Sequence, residues 1–336
     1  MSSLDRRADA AFAPVRDAVL SGRIPGAVLG LLGSDGSTVF RVAGLAQREP
    51  AMVPLAADTV FDLASLTKVV FTTTAILRLV EQGRIGLDDS LASAIPDLRQ
   101  YDVAGAAERK LTLRQCLTHQ THLPGVEPLY TYGQDPQTLR AFVLQRVWRH
   151  GQPVYSDINF ILLGIVIERL TGQPLIDQPL PAGFTFRPDP ERCAATERCT
   201  WRGRVMRGEV HDENAYALGG ASGHAGLFGD AAALLSFARG LLTGGILGQS
   251  SRQELFRRQT ATRSLGWEMA YEGWSGGDRT SSGTIGHTGF TGTGLWIDRE
   301  EGHAWTLLTN RVHPTRHVDT GIVSLRRAVG DLVCGG

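Results

Sequence analysis

The sequence predicts an α+β fold: a central antiparallel β-sheet flanked by helices, with a mainly helical region inserted between the two stretches that supply the strands. Three observations lead there. Strand-like runs lie near both ends of the chain but hardly at all between about residues 86 and 215. The later runs are joined by turns too short for parallel crossovers, so neighbours are antiparallel. The middle of the chain carries helix caps and apolar periodicity instead. The expected division is residues 1–85 with 218–336 as the sheet domain and 86–217 as the inserted helical domain.

At the N-terminus, "MSSLDRRADAAFAPVRDAVLSG" places Leu4, Ala8, Phe12, Val15 and Val19 on one face, the pattern of an amphipathic surface helix. It has basic residues but no unbroken apolar core, which makes it a poor signal peptide. Ser34-Asp35-Gly36-Ser37 then separates two β-rich runs, a hairpin signal. A long helix is predicted from Ser65 to Gln82, with Gly83 at its C′ position. Asp135-Pro136 supplies the N-cap and N1 of another helix, and Gly151 is read as its end. Ser156 or Asp157 opens "INFILLGIVIERLTG", apolar nearly all round and therefore buried. "LGGASGHAGLFGDAAALLSFARGLL" is a glycine-rich turn feeding a helix. Four strand-like runs follow, "SLGWEMA", "GTIGHTG", "GTGLWIDRE" and "HAWTLLTN", and the tail from Thr315 to Val333 is helical again.

Bulk composition narrows the function classes. With 336 residues, 42% of them hydrophobic, the chain can bury a sizeable core. Lys plus Arg (34) balances Asp plus Glu (34), and no long basic run offers a footprint for nucleic acid. No stretch approaches the ~20 apolar residues that span a bilayer. Cys116, Cys193, Cys199 and Cys334 form no CxxC pair and read as reduced structural thiols. Only export would make a Cys193–Cys199 bridge a competing reading. A soluble, cytoplasmic protein is the expectation, and the sequence leaves its oligomeric state open.

The chemistry is concentrated in "FDLASLTKVVFTTTAILRLVEQG". Lys68 is the only charge between Asp62 and Arg78, at the head of an apolar helix. Ser65 is an ordinary N-cap residue, and Lys68 can snorkel to water. Yet a capping box wants Glu or Gln at N3, and a cation in the first turn opposes the helix dipole by about 0.3–1 kcal/mol. The alternative gives that cost a purpose. Residues i and i+3 share a face, so Lys68 reaches the Ser65 hydroxyl. Burial and the positive helix end should lower its pKa from about 10.4, leaving a neutral amine able to take the serine proton. Two further places complete such a site. Tyr155, before "SDINFILLG", is either a hydrophobic staple on Phe160 or a phenol that passes a proton to a leaving group. His287-Thr288-Gly289, on a predicted strand, is either a plain strand and turn or a substrate-binding wall. In the second case Gly289 lets substrate approach the backbone, and the Phe290 and Ser65 amides form an oxyanion hole.

Taken together and in this order, Ser65-x-x-Lys68, Tyr155-Ser156-Asp157 and His287-Thr288-Gly289 resemble the three motifs of the serine β-lactamase-like superfamily. That group includes penicillin-binding proteins, class C β-lactamases, D-aminopeptidases and family VIII carboxylesterases. "VFDLASLTK", "LTLRQCLTHQTHLPG", "VYSDINFILLG" and "GGASGHAGLF" are similar to phrases of its class C-like branch, and the likeness runs from about residue 20 to the C-terminus. The resemblance implies a β-lactamase/transpeptidase-like fold with the site between its two domains. It also implies Ser65 as acylated nucleophile, Lys68 and Tyr155 as proton-handling partners, and the third motif as a binding wall.

Three departures narrow the substrate. His287 stands where members that handle β-lactams commonly have Lys; mostly neutral at pH 7, it offers a hydrogen bond but little fixed charge. That favours small esters or amides with no obligatory carboxylate. Asp157 replaces the usual Asn; it either holds Lys68 charged or caps the helix and faces away, and the cap is the preferred reading. After Leu175, prolines 179, 181, 188 and 190 forbid the long helix usual there, so a more open pocket is expected. His119, His122, His211 and His224 read as structural, with no metal and no cofactor expected. Asp212, Glu213 and Asn214 are expected to order a loop near the cleft. "GGASGHAG" lacks the ending of a phosphate loop, and the scattered tryptophans read as packing. The leading expectation is a serine hydrolase, a carboxylesterase for small substrates working through an acyl-enzyme. The alternatives are a β-lactamase or D-amino-acid amidase of the same fold, and a non-catalytic binding protein that keeps it.

Overall fold

The computed structural model describes residues 2–335. In chain order, β1 (Gly26–Leu32), β2 (Thr38–Gln47) and β3 (Val53–Pro54) are followed by four two-residue strands. These are β4 (Phe61–Asp62), β5 (Arg198–Cys199), β6 (Arg204–Val205) and β7 (Phe228–Gly229). β8 (Glu268–Met269), β9 (Ile285–Thr288), β10 (Gly294–Asp298) and β11 (His303–Thr309) complete the set. Seven of them form one antiparallel sheet in the order β3-β2-β1-β11-β10-β9-β8. β4 pairs with β7 and β5 with β6. The sheet thus joins the two ends of the chain through the β1–β11 pair, with Ala27 opposite Thr309 and Leu32 opposite Ala304.

Every residue of β1 and of β11 is buried, because both faces of the sheet are covered. Alternate residues serve different cores, as the two-residue period of a strand requires. Ala27, Leu29 and Leu31 pack with Trp296, Trp305 and the buried face of α1 (Ser3–Leu20). Val28 and Leu32 point to the larger cluster that continues into the helical part of the chain. α1 begins in a capping box between Ser2 and Asp5, and Ala8, Phe12 and Val15 are buried on the predicted face. The β1–β2 hairpin turns at Gly36, whose φ of 82° needs glycine.

A π-helical turn, Lys68–Thr73, runs on into α2 (Thr74–Glu81), and Gly83 follows with φ 66° in the expected place. Then come α3 (Leu91–Ala94), α4 (Leu113–Leu117), α5 (Pro136–Gln145), α6 (Asp157–Thr171) and α7 (Glu213–Ala217). α8 (Ala231–Thr243), α9 (Gln249–Phe256) and α10 (Ile322–Cys334) flank the sheet strands near the C-terminus. α6 buries an unbroken run from Ile158 to Ile167, as its all-round apolar sequence demands.

Two element boundaries differ from expectation, and so does the place of one loop. α5 stops at Gln145, not Gly151, because Trp148 folds back into the core and its indole N–H takes the Val143 carbonyl that a longer helix would need. The tail helix starts at Ile322, not Thr315. Pro314 precedes the segment, Arg316 is held by Glu197 and Glu213, and Gly321 takes a left-handed φ of 63° just before the helix. The proline-rich segment after Leu175 forms only short turns, but it does not border the main cleft. Gln178, Pro179 and Pro181 line a separate cavity of about 260 Å³ behind Val70 and Phe71, and Phe186 packs edge-on against Phe71. All four cysteines are free thiols. Among the described residues no helix is long and apolar enough to cross a membrane.

Candidate active site

The turn after β4 sets the geometry. Asp62 is fully buried; one carboxylate oxygen accepts from the Ala64 N–H at 2.8 Å and the other from the His211 N–H at 2.6 Å. This clamps Ala64 at φ 46°, a left-handed conformation that costs a residue with a side chain about 1–2 kcal/mol. The strained turn presents Ser65, partly exposed, at the floor of a cleft of about 900 Å³. Lys68, fully buried, lies one turn on, with Nζ 3.0 Å from Ser65 Oγ. The turn is wider than an α-helix because Thr73 and Thr74 donate to the carbonyls of Lys68 and Val69, at 2.7 and 3.2 Å.

The N-terminus of α6 supplies the second wall. Ser156 is the N-cap: its hydroxyl accepts from the Asn159 N–H. That frees Asp157, which does not face away as a cap would. Its carboxylate turns inward to Lys68 Nζ at 2.8 Å. The Tyr155 ring centroid lies 5.0 Å from Lys68 Nζ, and its phenol is near enough to Lys68 and Ser65 for both to favour its ionised form. Tyr155 is no staple on Phe160; the His119 ring meets both, at 4.6 and 5.3 Å between centroids.

These neighbours reverse one electrostatic expectation. Burial favours a neutral Lys68 amine, but Asp157, with Tyr155, outweighs it and raises the pKa above its ordinary value. Lys68 is therefore an ammonium at rest and donates to Ser65 Oγ and to the His224 carbonyl, the latter at 3.1 Å. Asp212 adds a further negative charge nearby. Burial would raise its pKa, but His224, 2.9 Å away, and Lys68 hold it well below the carboxylate range. Asp157, Asp212 and His224 bring possible ligand atoms within 4.8 Å of one another; Asp157 is also the ion-pair partner of Lys68, whose charge acts on Asp212. Burial raises the Tyr155 phenol, so it stays protonated at neutral pH.

β9 closes the third side. His287, buried, sits 5.9 Å from Tyr155 between ring centroids. Burial and then the charges of Lys68 and Arg263 push its pKa well below 6.5, so the ring is neutral. Its Nδ1 donates to the Thr288 carbonyl at 3.0 Å, which leaves Nε2 as an unpartnered acceptor; the expected free donor is already in use. Thr288 and Gly289 line the cleft. The glycine is needed for a different reason from the one expected. A Cβ there would lie 2.1 Å from Thr293 Oγ1 and 2.5 Å from the Leu63 carbonyl, so it is the turn before Ser65, not substrate, that approaches its backbone. Phe290 is half-exposed at the rim, stacked on His211 at 5.7 Å and under Arg311 at 4.8 Å.

The structure thus gathers Ser65, Lys68, Tyr155, Asp157, His287, Thr288, Gly289 and Phe290 around one cleft. Sequence reasoning missed Asp62 and Arg263. His119 is the structural histidine it was expected to be, yet it also fixes this site: buried and neutral, its Nδ1 accepts the Ser156 N–H at 2.9 Å. Asp212, Glu213 and Asn214 do border the cleft as expected, Asp212 as the N-cap of α7.

Comparison with known proteins identifies the family and the fold. A family model described as Beta-lactamase matches residues 8–328. The chain is 32% identical over 308 residues to the N-acetylmuramyl-L-alanine amidase of Bacillus subtilis (strain 168), covering 76% of this chain and 68% of that one. The crystal structure of a beta-lactamase from Sulfitobacter sp. EE-36 is similar with a TM-score of 0.76 at 20% identity, covering 100% of both chains. EstCE1, a hydrolase with promiscuous acyltransferase activity, is similar with a TM-score of 0.71 at 22% identity, covering 98% of this chain and 100% of that one. The last two are likenesses of fold.

Proposed function

The chain belongs to the Beta-lactamase family, and on that premise we propose that it is a serine acyl-hydrolase for small esters and amides, with Ser65 as the acylated nucleophile. One observation carries the reading. A serine hydroxyl open to a cleft stands 3.0 Å from a buried lysine amine, and the Tyr155 ring lies 5.0 Å from that amine.

In the proposed mechanism Ser65 Oγ attacks the substrate carbonyl. Because Lys68 is charged at rest, it accepts the serine proton only as it gives one up, and Asp157 is the acceptor at 2.8 Å. The Ser65 and Phe290 amides, neither of which has an acceptor among the described residues, hold the oxyanion. Losing such a donor typically costs about 10²–10³ in rate. Tyr155 delivers a proton to the leaving group, and water then releases the acyl chain by the reverse path.

Small esters are the first substrates to test, since neutral His287 supplies no fixed charge at the third motif. Hydrolysis of β-lactams or D-amino-acid amides is the second reading, favoured by the amidase name of the relative from Bacillus subtilis. Nitrocefin against p-nitrophenyl butyrate separates the two; faster nitrocefin turnover selects the second. The decisive test of the class is labelling by a fluorophosphonate. The expected result is a single adduct on Ser65, lost together with ester turnover in Ser65→Ala. An unlabelled Ser65, or full turnover in that variant, would leave a non-catalytic binding protein.

A further inference from the structure

The cavity behind the turn that carries Lys68 has a composition of its own. Its volume of about 260 Å³ is just below the about 300–1,000 Å³ of sites for drug-sized ligands. Three stretches far apart in sequence enclose it: the π-turn with α2, the C-terminal end of α6, and the proline-rich segment after Leu175. Val70, Phe71, Leu79 and Ile167 supply its buried, apolar side. Pro179 and Pro181, more exposed, cover it from a segment that cannot continue as a helix. Phe71 is the one aromatic ring among the described residues that line it, and it already packs edge-on against Phe186 at 5.2 Å. The lining therefore suits an aliphatic chain better than a stacked ring.

The charge around this cavity is one-sided. Arg78 and Arg84 line it, and no carboxylate joins them among the described lining residues. Arg78 is partly buried in the last turn of α2, and Arg84 is exposed just beyond it. Neither guanidinium has a hydrogen-bond acceptor or an ion-pair partner among the described residues. The nearby acids are engaged elsewhere: Glu81 accepts from the Gly248 N–H at 2.7 Å, and Asp177 pairs with Arg187 at 2.7 Å. The helix dipole favours a cation at the position of Arg78, but it provides no acceptor for the guanidinium. An apolar cavity bordered by two unpaired cations and no anion is complementary to a hydrocarbon tail with a negative head.

We propose that this cavity is a binding site for a medium-chain aliphatic carboxylate, with its tail against Val70, Phe71 and Ile167 and its head between Arg78 and Arg84. No residue lines both this cavity and the cleft at Ser65, so the two sites are separate. The proposal does not depend on the acyl-enzyme reading of Ser65.

The probe is octanoate, read by calorimetric binding, with 1-octanol as the uncharged chain and acetate as the head without a chain. Octanoate is expected to bind at a single site. 1-Octanol should bind about tenfold to a hundredfold more weakly, the range of one charge-assisted contact, and acetate more weakly still. In the double variant Arg78→Gln, Arg84→Gln, octanoate affinity falls to that of 1-octanol, which is itself unchanged. Ala75→Leu, which adds bulk to a residue lining the cavity, abolishes octanoate binding. Neither arginine has a protein partner to lose, so the double variant keeps the wild-type Tm and the charge test stands even where Ala75→Leu fails to fold. No octanoate binding, 1-octanol bound as tightly as octanoate, or octanoate affinity unchanged in the double variant or in folded Ala75→Leu overturns the proposal. Protein labelled at Ser65 by a fluorophosphonate should still bind octanoate; loss of binding there would place the ligand in the cleft and overturn it too. An unlabelled Ser65, with octanoate binding that Ala75→Leu abolishes, removes the acyl-enzyme reading and leaves this site standing.

Discussion

The charge on Lys68 is the central quantity at the level of single residues. The amine is buried among apolar groups and close to a positive helix end, which by themselves favour neutrality; the Asp157 carboxylate at 2.8 Å decides otherwise. Asp157→Asn removes that leading cause, so the Lys68 pKa falls. Activity that needs a neutral amine rises with pH through that pKa, and its ascending limb in a kcat/KM profile should move to lower pH. An unmoved limb would show that Asp157 does not set the charge. Lys68→Arg should lose most acylation, measured as labelling rate, because guanidinium keeps its proton. Gly289→Ala forces a Cβ to 2.1 Å from Thr293 Oγ1 and should cost about 1–3 kcal/mol in denaturant unfolding, an overpacking penalty. Ser65, Lys68, Tyr155 and His287 were legible because each sits in a short phrase with its own local signal. Asp62 and Arg263 were not: an acid beside a strand and a basic residue in a loop acquire meaning only from what folds against them.

The element that carries the nucleophile is a π-turn. Nothing in the apolar periodicity of "LTKVVFTTTAILRLV" distinguishes it from an α-helix. The signal lies in the run Thr72-Thr73-Thr74, whose hydroxyls donate to the Gly223, Lys68 and Val69 carbonyls. Thr73→Val keeps the shape but leaves the Lys68 carbonyl without that donor. It should destabilise the fold by about 1–3 kcal/mol and slow fluorophosphonate labelling of Ser65. A lower Tm with an unchanged labelling rate would mean that the turn serves packing alone. The misjudged helix ends have a similar origin. Trp148 ends its helix through an indole bond to the Val143 carbonyl, and Arg316 delays one through the distant Glu197; a cap pattern registers neither.

Across the whole molecule, the C-terminal part of the chain is fastened to the middle beside the cleft by Glu197. Its carboxylate meets the His211 ring at 3.0 Å and Arg316 at 2.5 Å, and Arg316 reaches on to Glu213. Burial would raise its pKa, but His211 and Arg316 lower it to about 2 from an ordinary 4.5. Glu197 therefore contributes stability above about pH 4.5 that is lost as pH falls toward 2. Thermal unfolding of Glu197→Gln should lie below the wild type at neutral pH, with the gap closing over that window. A gap that does not change with pH would show that the contacts, not the charge, matter. By itself the sequence determined the class of sheet, the elements and the serine–lysine pair, because strand alternation and i, i+3 helical spacing are local properties of a chain. Tertiary structure alone decided whether that lysine is charged and which nitrogen of His287 is free. Those depend on the field inside a buried site, and that field is the sum of groups the sequence keeps far apart.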